Sequence, residues 1–493
     1  LAQELSAQSY FLWENISRIQ SAMAEKPTIA IFNVAMIGHV NPTFPLVQEL
    51  VRRGCNVHYF LPPVKAICAA AKESGAIVES YLPDVPDLVL DQCGIQDLTD
   101  DILPEDRELW KRATWPLAST LLCGDYIIQR CRDLRVSAVL YDPMTPHGLL
   151  VALKLDIPKA SLITFPGMGS LRDLMSQEDR LKKSASIRVP LGEVVKETFG
   201  VDLEVALLTR RQWLAPLSFI TTGADLVVPL PAEGAWAKEL QDFRFLPVGC
   251  LVSSTAPHVT LSTCKAKTQL PNQVVNSFGN DLPTVELEEQ VGRGRKIIFA
   301  ALGTMALADR WDQDLGKASG GNLPAGVTGK QFCQHVWKVL IQTMEDLGED
   351  YFCVLCIGKQ PDALDFLDAE SQDLPSNMLL KCSVPQVAML NKYASVFISH
   401  AGFNSLQESL MAGVPLVAVP QAVDQPANAL KVQQCSWGIS FLKPMESLTQ
   451  EALAASLCEL SKPTSHCRST VASARTHLTG GVQCLAQKLL DMK

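Results

Sequence analysis

No apolar stretch in this 493-residue chain reaches the roughly 20 residues that a membrane-spanning helix needs. Dense basic runs are missing too. With 43 Lys and Arg against 52 Asp and Glu, a net charge of −9, nucleic-acid binding lacks its electrostatic footing. The 15 cysteines follow no framework spacing. Several sit inside apolar segments, as Cys353 and Cys356 do in 351–357. Residues three apart on a strand point to opposite faces, so this pair is a poor metal clamp, and reduced core thiols are expected. The first strand runs into Gly38-His39 rather than G-x-G-x-x-G, which argues against a dinucleotide-dependent oxidoreductase. No internal repeat or low-complexity tract is evident. Residues 1–25 lack a positively charged start, so they read as an extension rather than a secretory signal, with Met23 as the expected initiator. The carboxyl end, 483–493, reads as a short amphipathic helix and not as an anchor. These absences fit a cytoplasmic enzyme, expected to be a monomer.

What is present is an alternation of apolar strands with helical patterns. Runs at 28–34, 55–61, 136–141, 160–164 and 225–230 predict a doubly wound α/β domain over 26–252. Runs at 296–302, 351–357, 378–381, 396–399, 416–419 and 439–442 predict another over 293–465. The stretch 253–292 is polar and punctuated by Pro and Gly, as a linker is. Residues 466–493 are expected to form helices that return to the first domain.

The most informative stretch opens at His400. Val396–Ser399 has strand character, Gly402 permits a sharp turn, and Leu406, Leu410 and Met411 follow helical spacing until Gly413 and Pro415. The first backbone N–H groups of such a helix have no internal partner and carry positive potential, so phosphates bind there. Asn404, Ser405 and His400 add donors. Glu408, one turn on, suits sugar hydroxyls. Asn and Ser are also common helix caps, and a capped helix is the bland alternative. Pro385-Gln386 before this unit and Asp424-Gln425 after its second strand change the weighing, because ligands of open parallel sheets bind beyond the carboxyl ends of strands.

This set resembles the signature of the family 1 UDP-glycosyltransferases: P-Q, then H-x-G-x-N-S-x-x-E, then G-V-P and D-Q. Here it is Pro385-Gln386, His400, Gly402, Asn404-Ser405, Glu408, Gly413-Val414-Pro415 and Asp424-Gln425, without a gap from His400 onward. The resemblance implies the GT-B architecture, two facing Rossmann-like domains. It also implies that His400, Asn404 and Ser405 hold a diphosphate, Glu408 the ribose, Gln386 the uracil, and Asp424 and Gln425 the sugar hydroxyls. Thr304, after the run 297–303, sits where family members place a phosphate-binding Ser or Thr. Plant members stack a tryptophan on uracil where this chain has Ser383, so base recognition would rest on backbone near Val384.

The rest of the chemistry is expected near the amino end. The loop 35–41 joins an apolar strand to a helix begun near Pro42, which places His39 just before a helix. The dipole there would disfavour imidazolium and keep a neutral base. Asp142 ends the run 136–141, within reach of the same crevice, and a carboxylate behind an imidazole fixes its tautomer and stabilises its cation. Singly, each residue could be an ordinary loop residue. Together with the resemblance they read as base and orienting acid. Asp312-x-Asp314 could be mistaken for a manganese-binding D-x-D, but it lies in a Gly-rich loop and is read as solvated; no metal is expected.

The expectation is an inverting, metal-independent transfer of a hexose, glucose by preference, from a UDP-sugar co-substrate to a hydroxyl of a lipophilic small molecule, with no further cofactor. Segments 110–115, 165–171 and 213–219 are candidate acceptor walls. The alternatives are a UDP-N-acetylhexosamine transferase or sugar-nucleotide epimerase on the same architecture, or a nucleotide-binding protein with a decayed catalytic half.

Overall fold

A computed structural model describes residues 26–80, 107–171, 178–205, 214–230, 232–259, 281–304, 306–307, 310–316, 322–367 and 374–492. The expected extension 1–25 lies outside them.

Two parallel sheets organise the chain. The first contains β1 (Thr28–Phe32), β2 (Asn56–Leu61), β3 (Ile77–Ser80), β4 (Ala138–Tyr141), β5 (Lys159–Ile163), β6 (Leu217–Ile220) and β7 (Arg244–Pro247) in the order β3-β2-β1-β4-β5-β6-β7. The second contains β8 (Lys296–Ala301), β9 (Tyr351–Cys356), β10 (Met378–Lys381), β11 (Ala394–Ser399), β12 (Leu416–Ala418) and β13 (Gly438–Ser440) in the order β10-β9-β8-β11-β12-β13. Helices cover both faces of a parallel sheet, so its central strands read as unbroken apolar runs. Accordingly β1 and β9 are buried at every position. Stacked rings mark the cores: Phe32 on Phe60 at 4.4 Å in the first half, Phe299 on Phe397 at 4.9 Å in the second. Cys353 and Cys356 lie in this second core as free thiols. Burial pushes Cys356 up to about 12, which keeps its thiol protonated near neutral pH.

Two expectations need correction. Residues 225–230 do not form a strand: Ala224–Leu226 is a 3-10 turn, and the sixth and seventh strands are β6 and β7. The expected linker is not irregular throughout, because Thr284–Gly292 is a helix whose Leu287 is fully buried against the second sheet. At its other end, Val259 packs into the first-half core.

The closing helices, His466–Leu478 and Gly481–Leu490, carry the chain back across the seam. Val471 and Leu478 pack with the second half, whereas Leu485, Ala486 and Leu489 join the first-half core. Arg53 Nη1 donates to Gln487 Oε1 at 2.7 Å, and Cys250 N donates to the Leu478 carbonyl at 2.8 Å. No helix among the described residues is long and apolar enough to cross a membrane.

Candidate active site

Each sheet has one place where strand order reverses direction, between β1 and β4 in the first and between β8 and β11 in the second. Crevices open at the carboxyl ends of such neighbours. His39 follows β1 and Asp142 follows β4; Thr304 follows β8 and the His400 block follows β11. The four sets of expected site residues therefore stand at the two switch points.

His39 Nδ1 lies 2.6 Å from Asp142 Oδ2. Asp142 is almost wholly buried, at 3% exposure, while His39 keeps 23% of its side chain accessible. The other carboxylate oxygen accepts from Met144 N at 2.8 Å. With Asp142 ionised, Nδ1 carries the proton and Nε2 is left as an acceptor. Asn33 Nδ2 donates to the His39 carbonyl at 3.0 Å and to the Tyr59 hydroxyl at 3.0 Å, and Thr164 Oγ1 stands 3.5 Å from Nδ1. The helix-dipole expectation for His39 is wrong. The residue sits in the last turn of a one-turn helix, Ile37–Val40, and its pKa is raised above 6.5. Burial pulls the imidazole down, but the charge and hydrogen bond of Asp142, with a smaller contribution from Asp424, outweigh it.

On the facing half, the helix Phe403–Ala412 begins at Gly402 with no side-chain cap. Asn404 and Ser405 therefore do not serve as caps. Asn404 Nδ2 instead reaches across the cleft to donate to the Gly38 carbonyl at 2.6 Å. Gln386 Nε2 donates to Ser405 Oγ at 3.0 Å and to Glu408 Oε2 at 2.6 Å, tying three expected nucleotide contacts into one network. The role given to Gly402 in the turn also needs correction. Its φ is −59°, and the left-handed residue is Ala401, with φ 58°. Glycine is required because of the neighbouring ring: a Cβ on Gly402 would stand 2.3 Å from His400 Nε2, and one on Gly303 2.4 Å from it. Burial pushes His400 down to about 4, so it is neutral near physiological pH.

Asp424 Oδ2 accepts from Asn428 Nδ2 at 2.8 Å, and Asn428 also donates to the Ala401 carbonyl at 2.9 Å. Burial raises the Asp424 pKa above its ordinary value, partly opposed by Asn428 and by the His39 charge across the cleft. Gln425 is buried, and its Oε1 accepts from Gln421 N at 2.9 Å, which leaves its Nε2 end for a ligand. Ser383 and Val384 follow β10; the Val384 side chain is buried in the core, so it can serve a base only through its backbone. Asp314 pairs through its backbone with Thr328, and Asp312 is exposed.

Of the candidate acceptor walls, Phe219 is core, with no exposure. Phe165 and Leu171 pack on a cluster of Ile163, Met168, Leu214 and Ile220. Trp213 and the side chain of Trp110 lie outside the described residues. Sequence reasoning missed Asn33, Thr164, Asn428 and His258. Asn33 and Thr164, each immediately after the end of a parallel strand, carried a positional signal.

Two doubly wound halves facing across a cleft, each opening its switch point onto the other, define the GT-B class of glycosyltransferases. Residues 358–482 match the family described as UDP-glucoronosyl and UDP-glucosyl transferase. The chain is 25% identical to the NDP-glycosyltransferase YjiC of Bacillus subtilis (strain 168) over 437 residues, which cover 87% of this chain and 88% of that protein. It is also 25% identical to the oleandomycin glycosyltransferase of Streptomyces antibioticus over 407 residues, 82% of this chain and 77% of the relative. Among solved structures, the glycotransferase of kitacinnamycin superposes with a TM-score of 0.63 at 21% identity, over 94% of this chain and 98% of that one. The chain is thus a glycosyltransferase of the GT-B fold, similar to the family 1 enzymes.

Proposed function

We propose that this enzyme transfers a hexose, glucose by preference, from a UDP-sugar to a hydroxyl of a lipophilic small molecule, with inversion and without a divalent metal. The observation that carries this reading is the His39–Asp142 pair, 2.6 Å apart, facing Asp424 from the other half. His39 Nε2 would take the acceptor's hydroxyl proton as that oxygen forms its bond to the anomeric carbon. Asp142 would stabilise the imidazolium so formed. The bond to the diphosphate breaks on the opposite side of the same carbon, and the uncapped helix start at Asn404 would stabilise the departing charge. Asp424 and the free end of Gln425 would hold the sugar hydroxyls, with Thr304 and His400 beside the phosphates. A relative named for oleandomycin supports a lipophilic acceptor. UDP-glucose offered with a panel of phenols, terpenoids, sterols and macrolides, read by mass spectrometry, tests the whole reading. Binding of UDP-sugars without transfer or slow hydrolysis would favour the binding-protein alternative.

UDP should bind in the presence of chelator, as calorimetry can measure; binding that appears only with added manganese would overturn the metal-free reading. Replacing both Asn404 and Ser405 by alanine should weaken UDP by about 1–3 kcal/mol through lost charge-assisted hydrogen bonds. Unchanged affinity would move the phosphate site elsewhere. In direct competition UDP-glucose should outrun UDP-glucuronate, because Asp424-Gln425 supplies no cation for a carboxylate. Preference for glucuronate would refute the donor class.

A further inference from the structure

His258 lies in neither sheet. It belongs to the segment that joins the two halves, yet it lines the same cleft as Asn404 and Glu408. Its ring is held from the first half by Asn41. The orientation of that amide is fixed, since Asn41 Oδ1 accepts from Val259 N at 3.0 Å and Nδ2 donates to the Val259 carbonyl at 3.1 Å. Asn41 Nδ2 therefore presents a donor to His258 Nε2, 3.0 Å away, and makes that nitrogen an acceptor. Facing it, at 3.7 Å, is Glu408 Oε1. That separation is too long for a hydrogen bond. The other Glu408 oxygen is occupied by Gln386, and Oε1 has no hydrogen-bond donor among the described residues. Two acceptors thus confront each other at a mostly buried place, with Glu408 only 7% exposed. Such an arrangement lacks donors, and a cis-diol supplies two on adjacent carbons.

We propose that His258 is a specificity-determining residue of the donor site, acting with Glu408 to bind the two ribose hydroxyls and to select ribonucleotides. The inference rests on the reading of Glu408 as the ribose contact and adds to it a residue from the connecting segment. One hydroxyl donates to Glu408 Oε1; its neighbour donates to His258 Nε2, sharing that nitrogen with Asn41 or displacing it. A purely structural His258–Glu408 tie would affect every nucleotide alike, whereas a diol contact is felt only when the hydroxyls are present.

The test compares UDP with 2′,3′-dideoxy-UDP by calorimetry. Wild type should prefer UDP by about tenfold or more, one or two hydrogen bonds' worth. His258→Ala should narrow that preference by about three- to tenfold while leaving dideoxy-UDP affinity unchanged, and His258→Phe, which keeps the ring's bulk without its nitrogens, should do the same should alanine not fold. Equal weakening of both nucleotides, or no change in either, overturns the proposal. Glu408→Gln separates the two levels. If it leaves the preference at the wild-type value, the ribose reading of Glu408 fails; if it collapses the preference while the His258 variants do not, only the role of His258 fails.

Discussion

Transfer to hydroxyl acceptors should fall by about 10²–10⁴-fold in His39→Ala, with UDP affinity nearly intact. Removing the base leaves the acceptor's proton without a taker, whereas none of the proposed diphosphate and ribose contacts involves the His39 ring. A thiol acceptor, largely ionised at raised pH, should suffer less. Wild-type kcat/KM should rise with pH through an inflection above 6.5, because Asp142 and Asp424 outweigh burial and hold the imidazole protonated beyond its ordinary range. Since the folded pKa is the raised one, the same interaction stabilises the fold below the unfolded value and fades as pH rises through the folded one. Full activity of His39→Ala towards an alcohol would refute the assignment.

The second large effect is expected in Asp142→Asn, which keeps nearly the same shape and removes the charge. Turnover should drop by roughly 10²–10⁴-fold, because the imidazolium formed in the reaction loses its counter-ion and an amide can hold the ring in the wrong tautomer. Residual activity should move its inflection to lower pH, since burial then becomes the dominant influence on His39. A structural role alone would lower activity without moving the inflection, so the pH profile decides. An unmoved inflection in a folded variant would mean that Asp142 does not set the state of His39.

The sequence told most where physics demands contiguity. Fully buried central strands need unbroken apolar runs, and β1, β2, β8, β9 and β11 are visible for that reason. In the first sheet both edge strands escaped: β3 leaves Ile77 50% exposed, and β7 is nowhere fully buried, so neither carries a strong pattern. The run 225–230 had the apolarity of a strand but belongs to a turn and loop. The site follows the same division. Ligand groups bound by one helix start and its flanking loops must come from neighbouring residues, hence the legible block from Pro385 to Gln425. Asn41, His258 and Glu408 meet only through the fold, and the reason for glycine at 402 is a ring that packs back onto it.

The two passages of the chain between the halves touch. A Cβ on Gly249 would come within 2.9 Å of the Gly481 Cα, and one on Gly481 within 2.4 Å of the Cys250 carbonyl oxygen. Gly249 and Gly480 both have positive φ, 97° and 82°, so the two passages bend at the place where they abut. Two links running through one point act as a pivot: relative sliding of the halves would shear both at once, while rotation about that point strains them least. Opening the cleft by such a rotation would separate His39 from Asp424 and break the Asn404–Gly38 bond in a single movement. Such a separation would take from His39 only the smaller of its two carboxylate influences, since Asp142 stays on the same half, and the crossing point itself is built around Gly249 and Gly481, whose backbones abut with no side chains between them.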